Sequence, residues 1–153
     1  MGSARRLARK TSTLAGALAF AAAACPPIAQ AAMPFGNYDL HVEGRYDFHT
    51  WLWAITACPG GGCVHVNAIA RPVAKAFPYV GDARSVDGQY VLTVDVPDGL
   101  RCDDIYYGPT VPTHDVYTWD PTTLAGSLQS SFDAGCHGAP AGSYTYPFTL
   151  SRL

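Results

Sequence analysis

Short apolar runs separated by turn signals fill the chain from residue 32 onward, and they restrict the fold more than any other feature of the sequence. The runs are rich in aromatic and β-branched residues or alternate apolar with polar positions, as half-buried strands do. No stretch combines a helical period with capping residues. The predicted strands are 37–42, 47–57, 63–70, 89–96, 116–119, 124–132 and 144–150.

The segments between these strands are interpreted mostly as turns. Residues 77–80 contain Pro78, which gives up a ladder hydrogen bond, so they are predicted to be irregular or an edge strand. Residues 97–99 are predicted to end a strand, 103–112 to form a long loop, and Gly126 to mark a bulge or a sharp bend. Seven or eight short strands in one domain predict an all-β antiparallel meander, folded as a small lipocalin-like barrel or as a two-sheet sandwich.

Residues 1–31 have the organisation of a secretory signal peptide. Four basic residues precede the apolar, alanine-rich run 14–25, which is too short to span a bilayer, and small residues place the cleavage site after Ala31. The mature β domain is therefore expected to be 32–153, secreted or held in the cell envelope, with no transmembrane segment. Lipid attachment at Cys25 is disfavoured, because no branched apolar residue stands three places before it and a proline follows.

Cleavage after Ala31 leaves an acidic domain. It removes four of the ten basic residues and none of the twelve acidic ones, so six remain against twelve and the formal charge changes from −2 to −6. Proteins bind phosphate backbones mainly through Lys and Arg. Nucleic acid and anionic lipid headgroups are therefore not expected as partners.

Four cysteines remain in the mature domain, and an even number in a small exported chain is typical of disulfides. Three connectivities are possible. Pairing Cys58 with Cys63 and Cys102 with Cys136 is favoured, because 58–63 is a Pro-Gly turn whose two cysteines would face each other at the base of a hairpin. A zinc site is the alternative, since four residues between Cys58 and Cys63 lie at the edge of the usual spacing, but Cys102 and Cys136 stand alone.

Six short segments of the mature chain carry a resemblance to known proteins. They are Phe35-Gly36-Asn37-Tyr38, the Trp51-containing strand that ends at Cys58, Gly62-Cys63-Val64, Asp87-Gly88-Gln89-Tyr90, residues 117–126 and residues 147–152. In this order they resemble a group of small exported actinobacterial, chiefly mycobacterial, proteins, and a similar module occurs in the extracellular portions of some sensor-type proteins of those bacteria. The resemblance covers nearly the whole mature chain. It implies a cell-envelope β domain, and it implies no activity and no site residues.

The sequence has no strong catalytic motif. It lacks a Gly-x-Ser-x-Gly elbow, all four mature cysteines are expected to be bridged, and Glu43 is the only glutamate. Ser130-Ser131 and His114-Asp115 are interpreted as strand residues that face water. A small hydrolase is the less favoured class, since it would need His114 or His49 buried against a carboxylate beside a hydroxyl. We therefore predict no catalytic residues and a non-enzymatic protein.

Metal binding is not predicted either. The five histidines form no i, i+2 or i, i+4 pair of the kind that compact zinc sites use. His41, His49 and His65 fall on three successive predicted strands and could meet across a sheet, but a polar sheet face is the plainer interpretation. The acidic residues around Cys102 match no EF-hand spacing and are interpreted as a solvated loop.

The mature domain is rich in aromatic residues. The chain has three Trp, nine Tyr and six Phe, and all but Phe20 lie after residue 31. Their main expected role is to fill the core and to pair across strands. Some could instead line a barrel mouth, and the ligand-binding candidates are Tyr46, Trp51, Trp53, Tyr90 and Trp119. Tyr106 and Tyr107, in the predicted loop beside Gly-Pro, are candidates for a surface that contacts another protein.

These observations favour an exported cell-envelope or extracellular β-barrel of non-enzymatic type that binds an apolar or envelope-derived ligand. Such a barrel predicts a continuous apolar cavity lined by the tryptophans. The alternative, a docking or sensor-type interaction module, predicts a filled core and an exposed aromatic patch at Tyr106 and Tyr107. The sequence indicates no cofactor and leaves the oligomeric state open.

Overall fold

The chain from residue 32 onward forms a closed barrel of antiparallel strands. A computed structural model describes residues 32–47, 49–72 and 78–153. Eight strands follow one another around the barrel in chain order, and the last pairs with the first to close it. The strands are β1 (Gly36–Val42), β2 (Thr50–Ala57), β3 (Cys63–Arg71), β4 (Tyr79–Val86), β5 (Gln89–Arg101), β6 (Thr110–Trp119), β7 (Ala125–Ala134) and β8 (Pro140–Arg152), with a 3-10 turn at Cys136–Gly138. The predicted all-β antiparallel meander is confirmed, and it is a barrel rather than a sandwich.

Two strands extend beyond their predicted limits. β4 is a full strand that pairs with both neighbours, whereas 77–80 was predicted to be irregular or an edge; Phe77 lies outside the described residues. β5 continues through 97–99 instead of ending there, because a register shift between Val96 and Leu100 accommodates the extra residues. The predicted end of β5 was therefore wrong, and the bulge of this barrel lies in that strand.

Gly126 allows close packing and does not mark a bulge. Its pairing with Trp119 on β6 and Phe148 on β8 continues the regular registers of both neighbours. A Cβ atom on Gly126 would lie 2.2 Å from the Thr118 carbonyl oxygen, which is shorter than any normal contact. The glycine is needed because no side chain fits between these strands.

Aromatic rings fill the interior of the barrel towards the end where β1 begins, which we call the floor. Trp53 is fully buried, and its ring lies 5.1 Å from Tyr117, 5.4 Å from Trp119 and 6.0 Å from Phe148. Below them, the Trp119 indole nitrogen donates to the Met33 sulfur at 3.1 Å, so the segment before β1 closes this end. An eight-stranded barrel is narrow enough for side chains to fill, and here they do so.

The two ends of the barrel are built differently. The floor end carries the tight turns between β2 and β3 and between β4 and β5, and the first of these is bridged by Cys58–Cys63. The other end, which we call the mouth, carries the β1–β2, β5–β6 and β7–β8 loops, and Cys102–Cys136 ties the last two together. Both bridges are those that the sequence favours, with Cα atoms 5.7 and 5.5 Å apart.

Candidate functional site

The buried polar side chains of the described part of the barrel cluster at the mouth. They are His49, Arg101, Thr113, Asp115 and Ser130, each at most 9 % exposed. β6 shows the gradient in one strand: its inward-facing residues run from Thr113 and Asp115 near the mouth to Tyr117 and Trp119 near the floor. Burying polar and charged groups costs free energy unless they find partners. The mouth therefore departs from the composition that a purely structural core would favour.

A cavity of about 220 Å³ opens among these polar groups. Its apolar wall is formed by Leu40, Val42, Val96 and Trp51. Its polar wall includes two arginines, three aspartates and two histidines, and two tyrosines also line it. The sequence predicts a continuous apolar cavity lined by the tryptophans. The observed cavity differs from that prediction, because Trp53 and Trp119 are packed below it.

Asp115 is the most deeply buried charged group of the mouth. It has no exposed surface, accepts a hydrogen bond of 2.6 Å from the Ser130 hydroxyl, and forms an ion pair of 3.4 Å with Arg45. Arg45 comes from the β1–β2 loop and also donates to the Gly99 carbonyl in the bulge of β5. Burial alone would lower the pKa of Arg45, but Tyr117 and Asp115 outweigh it, so the guanidinium stays charged.

Asp47 connects a second group of side chains on the same loop. Its carboxylate accepts hydrogen bonds from the Trp51 indole at 2.9 Å and from the His49 backbone at 3.0 Å, and the His49 ring lies 2.7 Å away. Arg101 approaches it at 3.8 Å from the end of β5. Burial opposes ionisation of Asp47, but these hydrogen bonds outweigh it and hold its pKa below the ordinary value.

Two stacked tyrosines form the boundary between the cavity and the aromatic core. The rings of Tyr79 and Tyr117 lie 6.0 Å apart, and the Tyr79 hydroxyl donates to the Tyr117 hydroxyl at 3.1 Å while accepting from the Trp53 indole at 3.0 Å. Burial raises the pKa of Tyr117 to about 12 and that of Tyr79 well above its ordinary value. Both phenols are therefore neutral hydrogen-bonding groups at physiological pH.

A wider groove of about 550 Å³ lies outside the cavity. Tyr46, Phe132 and Tyr144 give it an aromatic lining, and Asp104 contributes a carboxylate. Arg45 and Arg101 line both spaces, so the two guanidinium groups stand between the inner cavity and the outer groove.

The five ligand-binding candidates from the sequence lie in three different places. Trp51 lines the inner cavity and Tyr46 lines the outer groove. Trp53 and Trp119 belong to the filled core, and Tyr90 stacks on Trp119 at 5.6 Å near the floor. The structure thus brings only Trp51 and Tyr46 to the mouth.

The partner-surface candidates are exposed. Tyr106 and Tyr107 expose 43 % and 57 % of their surface in the β5–β6 loop, with their rings packed edge to face at 4.5 Å. Ile105 beside them is also exposed. The position agrees with the predicted loop, although that loop is shorter than expected because β6 begins at Thr110.

The histidines do not converge. His65 pairs with Asp82 on the outer surface, whereas His41, which is exposed, and His49, which is buried, both line the cavity at the mouth, so the three do not form one cluster. His114 faces water and pairs with Asp95, as predicted, but its neighbour Asp115 points into the barrel. Among residues 32–47, 49–72 and 78–153, no group of three or more His, Cys, Asp or Glu side chains is arranged to hold a metal ion.

Asp115 and Ser130 were predicted to face water, and both predictions were wrong. Strand alternation contains the signal that locates them. Asp115 lies two residues before Tyr117, and Ser130 lies two residues after Leu128, so each shares a face with a core residue. The predicted strand 116–119 leaves out Asp115, whereas the predicted strand 124–132 contains both Leu128 and Ser130. Arg45 and Arg101 carry no such signal, because one lies in a loop and the other follows a bulge.

Comparisons with known proteins give no further identification. Protein-family models, curated proteins and solved structures all yield no match to this chain. In the described part of the chain, no helical segment has the length and apolar character of a membrane-spanning helix.

Proposed function

We propose that the mature chain is an exported, non-enzymatic barrel that binds one small molecule in the cavity at its mouth. The observation that carries this proposal is the clustering of buried charge at one end. Asp115, Arg45, Asp47 and Arg101 face a cavity there, while Met33 and Trp119 close the opposite end. Perturbed, buried ionisable groups around a cavity are characteristic of binding sites.

A structural role for these charges accounts for them less well. Replacing a buried ion pair by apolar side chains of similar volume is often neutral or stabilising. The same barrel uses an aromatic core a few ångströms below, where Trp53 packs on Tyr117 at 5.1 Å. Because this chain fills the interior below the mouth with aromatic rings, ligand recognition explains the charges at the mouth better than stability does.

The lining favours a small ligand with an apolar body and a polar or charged end. The cavity volume of about 220 Å³ is below the roughly 300–1,000 Å³ of drug-sized sites. Leu40, Val42 and Trp51 suit an apolar portion, whereas Asp115 and the Tyr117 hydroxyl suit a polar one. The aromatic content of the sequence favours a wholly apolar ligand. Such a ligand would exclude water from these polar groups without replacing the hydrogen bonds that water makes.

Export is supported by two independent features. Residues 1–31 have the organisation of a signal peptide, and the two disulfides of the barrel are typical of proteins from oxidising compartments. The resemblance to small exported actinobacterial proteins agrees with a position in the cell envelope.

A hydrolase is supported less well than a binding protein. The buried His49 side chain does pair with the partly exposed Asp47 at 2.7 Å in the cavity wall, which is part of what a hydrolase would need. The buried hydroxyl of Ser130, however, donates to Asp115 rather than to an imidazole. A serine held only by a carboxylate is a poor nucleophile, because a carboxylate is a weaker base than the imidazole that takes the serine proton in hydrolases.

Native mass spectrometry of the mature protein, purified from an actinobacterial host, tests the proposal. We expect a mass excess that disappears on denaturation, beyond the four hydrogens lost in two disulfides. Trp51→Ala should lose the extra mass, and Val80→Ala, which removes an exposed side chain on β4, should keep it. A bare mass for the wild type, together with no small molecule released on extraction, would overturn the proposal.

A docking module is the second candidate. The exposed Ile105, Tyr106 and Tyr107 on a loop anchored by Cys102 favour it, because exposed aromatic groups often mark contact surfaces. A second envelope protein would be the partner. Cross-linking in cells should then recover one defined protein with the wild type and lose it with Tyr106→Ser and Tyr107→Ser together.

A further inference from the structure

We propose that Arg45 is a tethered occupant of a cation site, and that the ligand of the mouth is a small organic cation carrying a guanidinium or ammonium group. This inference rests on the proposed function and specifies the ligand class. The Arg45 side chain, supplied by a loop, already fills the acceptor groups that such a ligand would use.

The site is complete without any contribution from Arg45 itself. Asp115 on β6 supplies a fully buried carboxylate that is held in place by the Ser130 hydroxyl at 2.6 Å. The Gly99 carbonyl in the bulge of β5 supplies a second acceptor, which takes the other terminal nitrogen of the guanidinium. Two acceptors positioned for one planar donor group are what guanidinium recognition requires.

Arg45 is supplied by a loop, whereas its two acceptors belong to strands of the barrel wall. It belongs to the β1–β2 loop, directly after Gly44, whose φ of 75° lies in the left-handed region that favours glycine. Its partner Asp115 is 70 residues away on the rigid barrel wall. Loop residues move more readily than strand residues. The carboxylate is therefore the fixed half of this pair and the guanidinium is the exchangeable half.

Charge balance determines the sign of the ligand. When Arg45 withdraws, the cavity wall retains the carboxylates of Asp47, Asp98 and Asp115, with the Arg101 guanidinium and the imidazoles of His41 and His49. Its acidic groups then outnumber its permanently charged basic group by three to one. A buried carboxylate without a cation is unfavourable, so a cationic ligand is attracted and an anionic one is repelled. The acidic mature domain also favours the approach of cations from solution.

The remaining walls suit a cation as well. Trp51, Tyr79 and Tyr117 line the cavity as a connected set of rings, with 5.2 Å between the first two and 6.0 Å between the last two. Aromatic walls attract alkylammonium and guanidinium groups through the negative faces of the rings. A displaced Arg45 side chain can turn into the outer groove, because Arg45 already borders that groove and Asp104 supplies a carboxylate there.

Binding of ethylguanidinium to the disulfide-intact mature protein tests the inference by calorimetry. The variant Arg45→Ala empties the site and leaves the acceptors in place, so we expect it to bind ethylguanidinium at least tenfold more tightly than the wild type. N-ethylurea has nearly the same shape without the charge and should show no such difference. Arg84→Ala, which removes an exposed arginine on β4, should bind like the wild type.

Asp115→Asn in the Arg45→Ala background should abolish the gain in affinity, because it removes the charge and keeps the shape of the acceptor. If Arg45→Ala does not fold in buffer alone, recovery of its fold by millimolar ethylguanidinium, but not by N-ethylurea, tests the same site. Equal affinity of wild type and variant for ethylguanidinium, or an equal gain with N-ethylurea, would overturn the inference. A neutral or anionic molecule released from the purified protein would also overturn the inference of a cation site, but it would leave the proposed binding function intact. A bare protein that binds no cation would overturn both the cation site and the binding function.

Discussion

Arg45 and Asp115 are 70 residues apart in the chain, and their side chains meet at 3.4 Å across the mouth of the barrel. The pair joins the β1–β2 loop to the opposite wall. Because Asp115 has no exposed surface and Arg45 is only 13 % exposed, the interaction is only weakly screened by solvent. This one contact both holds the loop over the cavity and neutralises a carboxylate that the strand alternation of β6 directs into the interior.

Removing Asp115 should therefore be costly. Asp115→Ala leaves the Arg45 guanidinium with the Gly99 carbonyl but without its carboxylate, and it leaves the buried Ser130 hydroxyl without the acceptor it uses. Deleting one partner of a buried ion pair costs about 3–5 kcal/mol, so we expect a loss in this range in urea-induced unfolding at pH 7.

Asp95→Ala is the matched control for Asp115→Ala. Asp95 also pairs with a basic side chain, His114 at 2.8 Å, but on the outer surface, where its side chain is 89 % exposed. Exposed pairs contribute about 0–1 kcal/mol. Similar losses for the two variants would contradict the view that Asp115 is an internal charge of the mouth.

The all-β antiparallel meander was predictable from the sequence, but the choice of a barrel over a sandwich, the end of β5 and the whole of β4 were not. β4 escaped prediction because its inward positions include Gly81 and Ala83 instead of a run of large apolar residues. The reason is steric, since a Cβ atom on Gly81 would lie 2.6 Å from the Leu92 side chain of β5. The alternation of apolar and polar residues is lost wherever a small inward residue on one strand makes room for a large side chain on the next strand.

The candidate site was predictable only in part. Trp51 was identified because aromatic content points to it, and Asp115 could have been identified by its parity with Tyr117. Arg45 and Arg101 could not, because periodicity does not determine where a loop side chain points or which face follows a bulge. The charged part of the mouth is therefore a property of the tertiary fold.

Alkaline pH should destabilise the barrel through its two buried phenols. Burial raises the pKa of Tyr117 to about 12, against about 10 in an unfolded chain, so the folded state disfavours the phenolate. This stabilisation is fully present below pH 10 and is lost as the pH rises from 10 to 12, by about 2–3 kcal/mol for Tyr117. Unfolding free energies measured by urea between pH 9 and 11.5 should show the decline.

Tyr117→Phe should make that alkaline decline shallower, although it also removes the hydrogen bond from Tyr79 and lowers stability at neutral pH. Tyr107→Phe, which removes an exposed hydroxyl, should leave the slope unchanged. An unchanged slope for Tyr117→Phe would show that another group dominates the alkaline transition.

The two disulfides should differ in their contribution to stability. Cys102–Cys136 closes a loop with a sequence separation of 34, and Cys58–Cys63 one with a separation of 5. Loop entropy predicts losses of about 4 and about 2 kcal/mol when each pair is replaced by alanine. Urea unfolding of the two double variants measures the difference. Only the Cys102→Ala, Cys136→Ala variant should also weaken ligand binding, since that bridge ties two mouth loops together.

Met33 should stabilise the barrel as the closure of its floor. Its side chain is 2 % exposed and accepts the Trp119 indole hydrogen bond, although it stands only two residues after the expected cleavage site. Met33→Ala removes this packing at a position where the chain end can partly relax. We therefore expect the free energy of unfolding in urea to fall by about 2 kcal/mol. Tryptophan emission should shift to the red as water reaches Trp119. Phe35→Ala, two residues further on, removes a 55 % exposed ring and should leave both readouts unchanged. If Met33→Ala behaved like Phe35→Ala, the strands and their core side chains alone would close the floor, and Met33 would not be its closure.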